Sequence, residues 1–208
     1  MGNSAGKLDQ ADLEIYQLLT YFNKAEIIDC ADKFFEMIES NPETSNVAAA
    51  VKERRLKLQQ VKMPFSVIEN KISALHVNPF GTRLLQVFSG GQTLQNGESC
   101  ILFEDFLNMM SIMGPSAPLE VKAKWAFKVY DFNNDEKICS KDILEVVKRL
   151  TKPNENSAIE LKPEELAEVV KNVLEETDLN NNGFITSTEF QQVATKSPEF
   201  QHSFKLSI

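Results

Sequence analysis

Two twelve-residue segments carry oxygen-bearing side chains at intervals that suit a hard divalent cation. In the second of them, DLNNNGFITSTE at 178–189, Gly183 stands at the sixth position, where such a loop turns sharply. Calcium takes about six to eight oxygen ligands, and a closing glutamate can supply two of them. The segment therefore predicts a calcium site, with ligands at positions one, three, five, seven and twelve: Asp178, Asn180, Asn182, the Phe184 backbone carbonyl and Glu189.

The first segment, DFNNDEKICSKD at 131–142, keeps this spacing with two departures. Glu136 replaces the glycine at position six, so its backbone must adopt a left-handed conformation at a cost of about 1–2 kcal/mol. Asp142 closes the loop with a side chain one methylene shorter than glutamate, which favours the short bonds and retained waters of octahedral Mg²⁺. We predict a loop retuned toward magnesium, with ligands at the same five positions: Asp131, Asn133, Asp135, the Lys137 carbonyl and Asp142.

Helical patterns surround both segments, and their ends are well signalled. Asn23 and Glu26 form a capping-box pair that opens an apolar-periodic helix, which stops before Pro42. Asn78-Pro79 predicts another helix start. Further helices are expected at 44–60, 103–113, 119–130, 140–151, 163–177 and 187–195, with the helix-breaking sequence GPSAP at 114–118. No long strand is predicted, so the fold class is all-α.

An apolar residue recurs at the eighth position of four loop-like segments. These anchors lie 38, 37 and 47 residues apart: Met63, Ile101, Ile138 and Ile185. In EF-hand proteins this position pairs neighbouring loops in a short antiparallel ladder, and one hand alone cannot cover its apolar face. We therefore predict four helix–loop–helix EF-hand units paired in two lobes. The expected segments are an N-terminal tail and helix at 1–22, lobes at 23–113 and 119–196, and a tail helix at 197–208.

The first two hands lack the chemistry for an ion. Leu94 occupies position one of the second hand, where a carboxylate is needed, although Glu98 and Asp105 remain. The corresponding segment of the first hand, KLQQVKMPFSVI at 57–68, has no carboxylate and contains a proline. Both hands are expected to pack without a metal.

Composition limits the possible functions. The 208 residues carry 22 basic and 30 acidic side chains, and the net charge of −8 argues against nucleic acid as a partner. His76 and His202 are the only histidines, and no nucleophile–base spacing or phosphate-binding glycine loop is present, so an enzyme is not expected. No apolar run reaches the ~18 residues of a membrane span and no secretory signal opens the chain, which predicts a cytoplasmic protein with reduced thiols.

The opening MGNSAG is typical either of an N-myristoylation signal or of a plain disordered tail. Gly2 meets the requirement for N-myristoylation, although Gly6 stands where Ser or Thr is usual. A single acyl chain binds membranes only weakly, so we expect at most peripheral contact with the inner face of the plasma membrane.

Several motifs together resemble the calcium- and integrin-binding proteins, or calmyrins, over nearly the whole chain. They are the N-terminal MGN, YQLLTYFNKAEI at 16–27, NPF at 78–80, FEDFLNMMSIM at 103–113, AFKVYDFNND at 126–135 and KSPEFQHSFKLSI at 196–208. The order of two metal-free hands before two live ones is similar to that family. The resemblance implies a non-enzymatic calcium and magnesium sensor that binds amphipathic helices of membrane proteins, including integrin α tails, mechanotransduction channel complexes and some kinases.

A groove for a partner helix is expected to open when ions reorient the helices. Its predicted lining is apolar: Leu107, Met110, Ile112, Met113, Leu144, Val147, Leu150, Val170, Val173 and Leu174. Two other functions stay open, a calcineurin-B-like regulatory subunit of a phosphatase or kinase, and an ion buffer. The tail from Ser197 is predicted to form a helix with Phe200, Phe204 and Ile208 on one face, which either packs permanently or occupies the groove until a partner displaces it.

Overall fold

The computed structural model describes residues 8–151 and 161–206, and those residues are mostly helical. Its α-helices are α1 Gln10–Leu19, α2 Lys24–Ser40, α3 Ser45–Lys52, α4 Phe65–Lys71, α5 Ser73–His76, α6 Gly81–Ser89, α7 Phe103–Met113, α8 Leu119–Tyr130, α9 Ser140–Leu150, α10 Pro163–Thr177, α11 Ser187–Ala194 and α12 Pro198–Ser203. The strands are β1 Lys62–Pro64, β2 Cys100–Leu102, β3 Ile138–Cys139 and β4 Phe184–Ile185. The predicted all-α class, four EF-hand units paired in two lobes, is confirmed. No helix within the described ranges has both the length and the apolarity to span a membrane.

The predicted capping box opens α2. The Asn23 Oδ1 accepts hydrogen bonds from the backbone N–H groups of Ala25 and Glu26, at 2.9 and 3.1 Å, and the Glu26 carboxylate accepts from the Asn23 N–H at 2.7 Å. These bonds satisfy N–H groups that have no partner inside the helix. The helix ends at Ser40, one residue before Asn41-Pro42, as the sequence predicts.

The chain divides into two compact units, one running to Ala117 and including the last residues from Lys205, the other spanning Pro118–Phe204. In the first unit β1 pairs antiparallel with β2, and Met63 lies opposite Ile101. The core contains Phe34, whose ring packs 5.4 Å from Phe103 and 5.2 Å from Phe106, measured between centroids. This unit holds the first two hands.

The second unit holds the third and fourth hands. β3 pairs antiparallel with β4, and Ile138 lies opposite Ile185, so both pairs of apolar anchors meet as the sequence predicts. The buried core of this unit is small: Phe127, Ile138, Ile143, Val147, Val170 and Ile185. Seven further apolar side chains pack against it while remaining only partly buried: Tyr130, Leu144, Leu161, Leu166, Val173, Leu174 and Phe190.

The helix predicted at 44–60 is wrong in its second half. Helix α3 stops at Lys52, and Arg54 has a left-handed backbone with φ of 57°. The reversal lets Leu58 and Val61 enter the core, where both are at most 2 % exposed. Burial of these two large apolar side chains outweighs the helical preference of the exposed basic residues that precede Leu58: Arg54, Arg55 and Lys57.

Two helix ends also differ from the sequence prediction. Helix α6 begins at Gly81 rather than Pro79, because the Asn78 Oδ1 and carbonyl accept from the N–H groups of Phe80 and Gly81 in a turn that precedes the helix. Helix α12 starts after Ser197 as predicted but ends at Ser203, so the tail helix is shorter than 197–208. Ile208 lies outside the described residues.

Candidate metal centre

The third loop, 131–142, is organised around the carboxylate of Asp131. This side chain is 5 % exposed, and its two oxygens accept hydrogen bonds from the backbone N–H groups of Asp135 at 3.2 Å and Glu136 at 2.9 Å. The turn these bonds hold requires left-handed backbone at Asn134 and Glu136, with φ of 55° and 64°. Glu136 therefore adopts the conformation in which glycine is favoured.

Burial raises the pKa of the Asp131 carboxyl, and the nearby Asp135 and Asp142 carboxylates add to this effect against the two backbone hydrogen bonds. A buried carboxylate among other carboxylates is stabilised in its charged form by a cation. The electrostatics of the loop therefore favour a bound positive charge.

Asp142 ties the two ends of the third loop together. One carboxylate oxygen accepts from the Phe132 N–H at 3.1 Å, and the other accepts from the Cys139 N–H at 3.0 Å. The short side chain thus spans the loop with both oxygens engaged. An incoming ion must compete with these N–H groups for the same oxygens.

The fourth loop, 178–189, repeats the scheme with residues better suited to it. Asp178 is 6 % exposed, and its carboxylate accepts from the N–H groups of Asn182 at 3.1 Å and Gly183 at 2.7 Å. Gly183 has φ of 88°, which costs glycine nothing, whereas the equivalent Glu136 is strained. The fourth loop therefore reaches the same shape with less backbone strain.

Glu189 closes this loop. One oxygen accepts from the Asn180 side-chain amide at 2.8 Å and its backbone N–H at 3.3 Å; the other accepts from the Thr186 N–H at 2.9 Å and hydroxyl at 2.7 Å. The Thr186 bonds lower the pKa of the Glu189 carboxyl because they stabilise its charged form. Coordination by Asn180 requires its amide to turn so that the oxygen, rather than the nitrogen, faces the loop centre.

Comparisons with known proteins agree with this geometry. A family model described as an EF-hand domain pair matches residues 120–195, the third and fourth hands. "Calcium and integrin-binding family member 2" from Mus musculus and from Homo sapiens are each 34 % identical to this chain over 208 residues, covering 100 % of both chains. "Calcium and integrin-binding family member 3" from Homo sapiens is 32 % identical over the same length and coverage. The chain belongs to the calcium- and integrin-binding protein family.

The donor atoms of the third and fourth loops fit a hard cation. The donors are carboxylate, amide and carbonyl oxygens, which calcium and magnesium prefer. In the described part of the chain no three His, Cys, Asp or Glu side chains form a ready metal cluster. The fourth loop has only two carboxylates, and the third directs its carboxylates to backbone N–H groups. An EF-hand pair in a calcium-binding family supports calcium binding by the second unit.

In the second hand, the two carboxylates that remain at ligand positions have hydrogen-bond donors within the protein. Glu98 accepts from the Ser66 hydroxyl at 2.7 Å, and Asp105 accepts from the Gln92 amide at 3.1 Å. Both carboxylates therefore accept hydrogen bonds from protein side chains outside the 94–105 loop. Leu94 closes a tight turn, accepting from the Gly97 N–H at 3.0 Å.

The ten residues predicted to line a partner groove fall into two groups. Four lie on α7 in the first unit and are 1–3 % exposed: Leu107, Met110, Ile112 and Met113. The others lie in the second unit, where Val147 and Val170 are buried, Leu144, Val173 and Leu174 are partly buried, and Leu150 is 61 % exposed. Leu166 and Phe190 are also partly buried against this core but lie outside the predicted lining, although Leu166 stands four residues before Val170 on the same helical face. Gly2 lies outside the described residues.

Proposed function

We propose that this chain is a non-enzymatic calcium and magnesium sensor and adaptor that binds an amphipathic helical segment of a membrane protein. The support is the combination of two loops rich in oxygen ligands with a small core flanked by partly buried apolar side chains. In the fourth loop, calcium is held by these groups: Asp178, Asn180, Asn182, the Phe184 carbonyl and Glu189. In the third, the ligands are Asp131, Asn133, Asp135, the Lys137 carbonyl and Asp142.

The third loop is suited to magnesium by Asp142. Its carboxylate already reaches both ends of the loop, so exchanging N–H groups for an ion leaves a tight cage with few protein ligands. Magnesium accepts such a cage because its bonds are short and it keeps several waters. Calcium prefers the fourth loop, where the longer Glu189 can supply two oxygens.

Ion binding in the fourth loop affects the core of the second unit through Glu189 and the adjacent Phe190. Glu189 accepts from Thr186, the N-cap of α11, so an ion that draws the carboxylate inward also moves the first turn of that helix. The Phe190 ring lies 5.9 Å from Phe127 and 6.0 Å from Tyr130, between centroids. A shift of α11 therefore repacks the small core of the second unit.

The partner helix binds the apolar surface beside this repacked core. Leu144, Val173 and Leu174 are partly buried beside the core, and Leu150 is largely exposed, which gives an apolar face for a helix laid along it. The names of the relatives include integrin binding, so an integrin α cytosolic tail is the first partner proposed. The family resemblance adds mechanotransduction channel subunits and some kinases. A cytoplasmic location, with Gly2 acylation giving weak contact at the plasma membrane, fits such partners.

A peptide titration tests the proposal. A synthetic peptide from the membrane-proximal part of an integrin α tail is titrated calorimetrically into the full chain with calcium, with magnesium or with EDTA. Binding is expected with ions and lost in EDTA. Leu150→Ser should weaken binding about tenfold, while Val77→Ser, an equally drastic change at a site 75 % exposed in the first unit, should not.

The outcomes separate the alternatives. If the chain takes up ions but adding calcium exposes no apolar surface and no peptide binds, it is an ion buffer. If a purified phosphatase or kinase catalytic chain binds and the tail peptide does not, it is a regulatory subunit of the calcineurin B type.

A further inference from the structure

The third and fourth loops contact each other through two side chains as well as through the β3–β4 ladder. The Lys137 Nζ lies over the Phe184 ring, 4.5 Å from its centroid. Each of these residues occupies position seven of its own loop, the position that offers a backbone carbonyl to an ion. The contact therefore connects one residue of the third loop with its counterpart in the fourth.

The register of the ladder explains why these two side chains meet. Ile138 lies opposite Ile185 and Cys139 lies opposite Phe184. Side chains alternate between the faces of a strand, so the two isoleucines enter the core while Lys137 and Phe184 share the outer face as diagonal neighbours. Diagonal neighbours are within reach of a long or aromatic side chain. A cation held over an aromatic face is an attractive pair.

We propose that the Lys137–Phe184 pair couples the two loops, so that an ion bound in one raises the affinity of the other. This inference rests on the proposed ion binding and adds its regulation. The contact restricts the motion of both side chains. It thereby restricts the backbone of Phe184 and of Lys137, which carries the two carbonyls. An ion that locks one carbonyl thereby orders the second through the contact, and the second ion meets a loop that loses less freedom on binding. Such coupling is reciprocal between the two loops.

Lys137 has two opposite effects on ion affinity, and they can be measured separately. The Lys137 ammonium by itself repels a cation in either loop, so its removal alone would strengthen ion binding. The contact with Phe184 works in the opposite direction through ordering. Replacing each partner singly and both together separates the two effects, because the repulsion by Lys137 is unchanged when only the ring is removed.

The variants are Lys137→Met, Phe184→Leu and the double substitution, all of which keep the backbone carbonyls. The calcium affinity of the fourth loop is followed by NMR at the Gly183 amide, whose N–H donates to Asp178. Each titration is repeated with the third loop disabled by Asp142→Asn. The ratio of the two affinities is the coupling factor.

The coupling factor should exceed one in the parent chain and fall about two- to fivefold in each single variant, with no further fall in the double variant. Lys128→Met is the matched control: the Lys128 Nζ lies 4.5 Å from the Trp125 ring centroid within α8, away from the ladder. It should leave the factor unchanged. As a second measurement, urea unfolding in EDTA should show the same two- to fivefold pairwise coupling in the unfolding constant for Lys137 with Phe184.

Two results would overturn the coupling. One is a factor that survives Lys137→Met; the other is single-variant losses that simply add in the double variant. A parent chain that binds no calcium in either loop refutes the proposed function instead, and the unfolding measurement then still decides whether the two side chains interact.

Discussion

Replacing Glu136 by glycine should stabilise the metal-free second unit. Glu136 holds a left-handed backbone at φ of 64°. A non-glycine residue loses about 1–2 kcal/mol in that conformation, while a new glycine adds about 0.4–1 kcal/mol of unfolded-state entropy to be lost on folding. The hydrogen bond to Asp131 comes from the backbone N–H and is unaffected by the change. The net gain is therefore about 0.5–1 kcal/mol.

Two controls isolate the backbone effect. Asn134→Gly changes a residue at φ of 55°, but asparagine tolerates this region, so only the entropic loss should remain and stability should fall slightly. Glu136→Gln removes the charge and keeps the strain, so its stability should stay within a few tenths of a kcal/mol of the parent, about the size of an ordinary surface substitution.

The assay is urea unfolding in EDTA, followed by the fluorescence of Trp125, the single tryptophan, which lies on α8 in the second unit. With a urea slope of roughly 1–2 kcal/mol per molar, Glu136→Gly should raise the midpoint by about half a molar. If Glu136→Gly lowers the midpoint as much as Asn134→Gly does, strain at position six is not the cost we assign to this loop. If Glu136→Gln gives the same rise, the cause is charge.

Three further outcomes are expected. Glu189→Gln removes one of the two carboxylates of the fourth loop and should abolish most calcium uptake in a calorimetric titration, whereas the exposed Glu176→Gln should not; an unchanged isotherm would refute the ligand assignment. Asp142→Glu lengthens the closing side chain and should shift the third loop from magnesium toward calcium in competition titrations; no shift would mean that the loop is merely weak. Deleting 198–208 should tighten target-peptide binding and raise apolar-dye binding in calcium if the tail occupies the groove; lower stability without tighter binding would instead make the tail structural.

Local signals in the sequence were sufficient for the helices next to the loops. The bounds of α7, α8 and α10 agree with 103–113, 119–130 and 163–177, because caps, prolines and apolar periodicity lie within a few residues of each end. The pairing of anchors in both ladders also follows from the sequence, since it depends only on counting eight positions into each loop. The ion ligands stay predictions, although the loop backbone has the turns they require.

Contacts between residues far apart in the chain determine the features that local signals in the sequence do not. The break after Lys52 depends on the burial of Leu58 and Val61, which local helix preference cannot report. The tail helix ends at Ser203, and beyond it the Leu206 N–H donates to the Met113 carbonyl at 3.2 Å, 93 residues earlier in the sequence. Likewise, the Lys137–Phe184 contact exists only once the ladder sets its register. Ligand spacing is a property of consecutive residues and can be read along the chain, whereas these features follow from burial and pairing that exist only in the folded state.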